Sequence, residues 1–324
     1  MKGFPTRRLR RLRGSAALRD MLAQVRVQRT DLIAPLFVRG GAGVRNPIAA
    51  MPGQFQFSAD TALETARRWA DLGLPAVLLF GLPACKDAVG SAAWDAGESV
   101  QRLIGQIKAA LPRMLVITDV CLCEYTSHGH CGPLDARGGV DNDKALELLA
   151  RTALSHARAG ADIVAPSAMM DGQVHAIRQV LDAEGFAGTA IMAYAVKFAS
   201  SLYGPFREAA GSTPAAGDRR GYQMDYRAPR QAPLEAALDA DEGADILMVK
   251  PAATYLDIIA DLRRRFDLPI AAYHVSGEYA QIKAAAAAGW IDEQAAALEV
   301  TSAIKRAGAD LIITYFAEQL AAWL

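Results

Sequence analysis

Short runs of apolar and β-branched residues recur along the chain at positions 32–38, 76–82, 114–122, 161–167, 189–197, 245–251, 269–276 and 310–316. Each is apolar almost throughout instead of alternating with period two. That pattern is expected of parallel strands covered by helices on one face and buried on the other. Between the runs lie stretches of helical period. Leu146, Leu149, Ala150, Ala153, Leu154 and Ala157 share one face, as do Leu63, Ala66, Trp69 and Ala70. Three helical stretches end alike, in Arg158-Ala-Gly-Ala-Asp162, Glu242-Gly-Ala-Asp245 and Arg306-Ala-Gly-Ala-Asp310. Each places glycine where a helix stops in left-handed geometry just before a strand, a weak internal repeat of an αβ unit. Eight βα units within about 290 residues predict a (β/α)8 TIM barrel. A doubly wound sheet would carry a glycine-rich phosphate loop after its first strand, and neither a GxGxxG nor a Walker pattern occurs. Residues 1–30 precede the first strand, have little core of their own and read as an extended N-terminal arm, leaving 31–324 as the barrel domain.

Composition narrows the picture. With 324 residues, 52% of them hydrophobic, the chain can bury one large core. Its 35 basic and 35 acidic side chains cancel, so no nucleic acid or membrane surface is expected as a partner. The exception is Arg7, Arg8, Arg10, Arg11 and Arg13. No signal-type apolar run follows them and no stretch approaches the roughly 20 apolar residues of a membrane span, so they read as an arm lying on another subunit. Of four cysteines, Cys121, Cys123 and Cys131 cluster while Cys85 stands alone as a small core or loop residue. This suits a reducing, cytoplasmic setting and a metal site better than a disulfide framework.

In a barrel the C-terminal strand ends face the active site. The third run ends in Asp119-Val-Cys121-Leu-Cys123-Glu-Tyr-Thr-Ser-His128-Gly-His130-Cys131. Three cysteines spaced by two and eight leave an open coordination position, as a catalytic zinc requires. His128 or His130 either completes the shell or hydrogen-bonds around it. The fifth and sixth runs end at Lys197 and Lys250. Neighbouring barrel strands lie about 4.8 Å apart, so both amines should share one pocket. Desolvation and mutual repulsion there favour the neutral amine, a nucleophile toward carbonyls. Ser276 and Tyr315, on the seventh and eighth runs, can hydrogen-bond a carboxylate. The segment 199–233, with Arg207, Arg219 and Arg220, exceeds an ordinary βα loop and reads as a lid whose arginines grip a substrate carboxylate.

These residues resemble the porphobilinogen synthase (5-aminolevulinate dehydratase) family. The likeness rests on the cysteine-bearing stretch 119–132, on Lys197-Phe-Ala-Ser-Ser-Leu-Tyr-Gly-Pro-Phe-Arg207, Tyr222-Gln-Met-Asp225, Met248-Val-Lys-Pro251, Tyr273-His-Val-Ser-Gly-Glu-Tyr279 and Ile313-Thr-Tyr-Phe316. The resemblance implies condensation of two 5-aminolevulinate molecules to porphobilinogen in tetrapyrrole biosynthesis. It implies that Lys250 and Lys197 form the two Schiff bases, with Asp119 and Ser167 as further pocket positions. Ser276 and Tyr315 would hold one carboxylate, and Arg207, Arg219 and Gln223 the other. Cys121, Cys123 and Cys131 would carry zinc, which places the chain in the zinc-using branch. A homo-octamer built from arm-exchanging dimers is implied too, with an activating magnesium at Glu235.

Two stretches depart from the family's usual pattern. Ser167-Ala168-Met-Met-Asp171-Gly-Gln173 lacks a carboxylate at Ala168, and Gln223-Met-Asp-Tyr226-Arg227-Ala228 alters the exit of the lid. The surroundings of Glu235 also differ. A class I Schiff-base aldolase on the same fold would explain one lysine but neither the second nor the cysteines. A non-catalytic, zinc-stabilised barrel would leave paired lysines beside an arginine lid without purpose.

Overall fold

The computed structural model describes residues 6–324. The first five positions of the expected arm lie outside the described residues. Ten strands form: β1 (Leu32–Arg39), β2 (Arg45–Pro47), β3 (Phe55–Ser58), β4 (Ala76–Leu82), β5 (Leu115–Val120), β6 (Ile163–Pro166), β7 (Ala190–Lys197), β8 (Ile246–Lys250), β9 (Ile270–His274) and β10 (Leu311–Thr314). β1 and β4 to β10 pair in parallel in chain order, and β10 pairs back onto β1 with Leu32 opposite Ile312. Closure removes every free edge from this eight-stranded wall. Helices between successive strands make it the expected (β/α)8 barrel. The antiparallel pair β2–β3, which hydrophobic periodicity does not reveal, attaches beside the upper half of β1, with Phe37 opposite Gln56.

The Gly-Ala-Asp repeat has a structural meaning beyond the helix stop. Gly160, Gly243 and Gly308 take φ of 105°, 106° and 122°. The aspartate that follows then clamps the start of the preceding strand. Val116, Ile191 and Ile270 each donate their backbone N–H to Asp162, Asp245 and Asp310 at 2.8 Å. Each aspartate N–H donates back to the same residue's carbonyl, at 3.0, 2.9 and 2.7 Å. Lys108 completes the first clamp and Arg263 the third. The base of the barrel is therefore fixed by charge-assisted bonds, leaving the opposite rim for chemistry.

The arm carries a short 3-10 turn (Leu9–Arg13) and helix (Ala16–Met21), neither with a buried residue, and Leu9, Leu12 and Met21 are largely exposed. The long segment after β7 is not structureless. It contains a 3-10 turn (Ser201–Tyr203), a helix (Gly204–Ala209) and a second turn (Pro229–Gln231).

Candidate active site

Lys197 and Lys250 end β7 and β8 in register as direct cross-strand partners. Both are almost wholly buried. The Lys197 Nζ donates to the Ser167 carbonyl, and the Ser167 hydroxyl donates to Asp119 Oδ2 at 3.1 Å. Lys250 sits in an aromatic box, its Nζ 4.1 Å from the ring centre of Tyr273, 5.0 Å from Tyr194, 5.1 Å from Phe206 and 5.4 Å from Tyr203. Aromatic faces favour a cation. Burial and then the neighbouring Lys197 charge outweigh them, together with the opposing Asp119 and Glu124 carboxylates, and bring Lys250 down to about 7. Asp119 is pushed up to about 8 by burial and Glu124, against the two lysines. A neutral amine beside a carboxyl that can hold a proton is equipped to add to a carbonyl and shed water.

The loop after β5 brings Cys121, Cys123 and Cys131 together as free, buried thiols whose sulfurs lie within 4.8 Å of one another, Cys121 and Cys123 at 3.4 Å. A tetrahedral ion with sulfur bonds of about 2.3 Å needs sulfurs a little under 4 Å apart, so small adjustments would seat zinc on them. Cys131 is held below the usual thiol range by hydrogen bonds from the other two, while burial and those bonds push Cys121 up. Burial works against the Arg219 cation, yet the cysteines beside it hold its charge in place. Cys85 is exposed and apart. The histidines are engaged elsewhere. His130 bonds the Tyr222 hydroxyl at 3.1 Å and the Ala216 carbonyl at 3.0 Å, and His128 Nδ1 accepts the His130 N–H. They tie the cysteine loop to the lid, and the thiol cluster forms without them.

The lid lies across the mouth. Met224 donates to the Lys197 carbonyl, Ala215 to that of His128, and Arg219 to that of Gly129 at 2.9 Å. Gly129 has φ of 72°, and a Cβ there would come within 2.5 Å of the Thr213 carbonyl, so only glycine lets the two loops meet. Arg207, Arg219 and Gln223 line a cavity of about 500 Å³ with Tyr226, Thr254 and Tyr255. Inside the fold, Arg207 Nε, Arg219 Nε and both amide atoms of Gln223 lack hydrogen-bond partners, as does Asp119 Oδ1. Buried polar groups in folded proteins mostly have partners, so several unpartnered ones converging here mark a place for a polar ligand. Ser276, first residue of the helix Ser276–Ala287 that follows β9, accepts from Phe206 N at 3.0 Å and so ties that helix to the lid helix, and the Tyr315 hydroxyl meets that of Tyr273 at 3.0 Å. Glu235 is not at the mouth. It lines a small cavity with Asp171, Asp239 and Tyr222, where burial raises its pKa, as do Asp171 and Glu242.

Two groups at this site were not singled out in the sequence. Glu124 is buried, accepts from Cys123 Sγ at 3.2 Å and is pushed up to about 8 by burial and that thiol. Its adjacency to Cys123 was the available signal. Tyr194 had none. It precedes Lys197 by three residues, which strict alternation would put on opposite faces, but the register shifts between Ala193 and Val196 and brings the ring within reach of both amines.

Residues 6–323 match the family described as delta-aminolevulinic acid dehydratase. The chain is 53% identical to the protein of that name from Synechococcus elongatus, covering 99% of both. It is 52% identical to the one from Escherichia coli, covering 97% of this chain and 96% of that one. Among solved structures it resembles the Toxoplasma gondii delta-aminolevulinic acid dehydratase (porphobilinogen synthase), determined with its reaction product porphobilinogen. The TM-score is 0.96 at 43% identity, covering 99% of this chain and 92% of that one. With a match that spans the barrel from arm to last helix, the chain belongs to the delta-aminolevulinic acid dehydratase family.

Proposed function

We propose that the chain is a hydro-lyase that condenses two molecules of 5-aminolevulinate into porphobilinogen with loss of two waters. The observation that carries this reading is the pair of buried amines in register on β7 and β8, one of them brought to about 7, beside three convergent thiols. In this account the neutral Lys250 amine adds to the ketone of one substrate molecule. The carbinolamine hydroxyl leaves as water with a proton from the Asp119–Ser167 side of the pocket. Ser276 and Tyr315 hold that molecule's carboxylate. Lys197 forms the corresponding imine with the second molecule, whose carboxylate meets the unpartnered Arg207, Arg219 and Gln223 groups. The lid keeps bulk water from both imines. Zinc on Cys121, Cys123 and Cys131 would supply Lewis acidity that keeps an amine unprotonated. Two further assignments go with this reading. An activating divalent cation such as magnesium would bind at Glu235, whose carboxyl is pushed up by burial and by the nearby Asp171 and Glu242. The exposed arm seats on a second copy in a homo-octamer.

The test is to supply 5-aminolevulinate and zinc and assay the pyrrole product. Formation that is lost on chelation and in Lys250→Ala is the expected result. Product from the Lys250→Ala protein would refute the assignment.

A further inference from the structure

A second cavity, of about 510 Å³, opens on the helical shell where the helices Ser99–Ala110 and Asn142–Ala159 pack beneath the 3-10 turn Ser91–Trp94. It shares no lining residue with the cavity under the lid. Trp94 and Leu154 give it apolar walls, and Arg102, Arg151 and Arg158 stand around it. Arg158 pairs with Glu184 at 2.6 Å, whereas Arg102 and Arg151 have no acidic partner among the described residues. Gln101 adds a second, independent sign of a ligand. It is 5% exposed and its amide nitrogen is fully used, donating to the Ala93 carbonyl at 2.9 Å and Ser155 Oγ at 3.0 Å. Its Oε1, on a side chain that lines the cavity, accepts from nothing and is closed to solvent, so a donor in the cavity reaches it by a shift of that side chain. Gly105 lies in the interior of the first helix, where glycine weakens a helix relative to alanine. A Cβ added there would meet nothing within 4 Å, so no packing constraint explains the glycine; its effect is to keep the groove open.

We propose that this groove is a binding site for a flat aromatic anion that carries an N–H. Its ring would lie against Trp94 and Leu154, its acidic group toward Arg102 and Arg151, and its N–H toward Gln101 Oε1. The volume is that of a small-molecule site. The charge excludes the chain's own arm as occupant, because Arg7, Arg8, Arg10, Arg11 and Arg13 would face three further arginines.

The probe is 8-anilinonaphthalene-1-sulfonate, an arylamine with a sulfonate that fluoresces on leaving water. It is titrated into the intact protein while energy transfer from tryptophan is followed. The expected results are saturable binding to the wild type, loss of that phase in Gly105→Leu, and about tenfold weaker binding in Arg102→Ala/Arg151→Ala, the effect of removing two exposed ion pairs. Trp94→Phe should retain binding and lose most of the energy transfer. Turnover of Gly105→Leu should match the wild type and its melt should be no lower, since the new side chain enters empty space and replaces a residue that weakens the helix. Equal binding in Gly105→Leu would overturn the proposal. So would a changed sedimentation coefficient in that variant, which would assign the groove to contact between copies of the chain.

Discussion

Lys250 shows how one side chain can be unfavourable for stability and still be retained for chemistry. An amine brought from its ordinary range to about 7 binds protons more weakly in the folded than in the unfolded chain. Folding therefore loses stability as pH falls from the ordinary lysine range toward 7, and the deficit is constant below that. Lys250→Met should accordingly melt higher by about 2 °C or more, with the gain greatest at and below neutrality, and should be inactive. A melt unchanged at all pH values would mean that the amine carries no such penalty. For the reaction the same shift is favourable. Imine formation needs the neutral amine, so kcat/KM should rise with pH to about 7 and then level, as single-turnover trapping across pH would show. The charges facing the amine are Lys197, Asp119, Glu124 and Cys123. Both lysines were legible in the sequence because each closes an apolar run. The aromatic box around Lys250 was not, because Tyr203 and Phe206 come from the lid and Tyr273 from the next strand. Such contacts are tertiary and leave no local pattern.

At the scale of elements, periodicity gave all eight barrel strands to within a few residues, since buried parallel strands are apolar on both faces. The β2–β3 pair escaped because all three residues of β2 are exposed and two of them, Arg45 and Asn46, are polar. The Gly-Ala-Asp repeat was visible as a helix stop, but its clamp on the preceding strand depends on pairing order that only the closed sheet supplies. Asp162→Ala would leave the Val116 N–H and the Lys108 ammonium without their acceptor, and should cost about 1–3 kcal/mol in denaturant unfolding. No measurable loss would show the clamp to be dispensable. The lid and the cysteine loop meet at Gly129. Gly129→Ala should raise KM more than it lowers stability, because its Cβ would press on the Thr213 carbonyl and lift the lid from the mouth. An unaltered KM would mean that the lid tolerates the displacement.

At the scale of the whole molecule, the barrel wall and the cysteine loop are distinct parts. The eight-stranded wall closes without the cysteine loop, and the thiols lie beyond the end of β5. Chelation should therefore abolish turnover and leave far-UV circular dichroism unchanged, whereas a zinc-stabilised scaffold would unfold. The arm presents Leu9, Leu12 and Met21 to solvent in a single copy. If the arm joins subunits into the proposed octamer, its removal should shift sedimentation to smaller species, and an unchanged sedimentation coefficient would show that the arm is not what joins them. The central claim concerns Lys250, and reduction with borohydride in the presence of 5-aminolevulinate, followed by peptide mass mapping, tests it most directly. The account expects a substrate-derived secondary amine on Lys250, absent without substrate. An adduct confined to other lysines, or none in a protein that turns over, would contradict it.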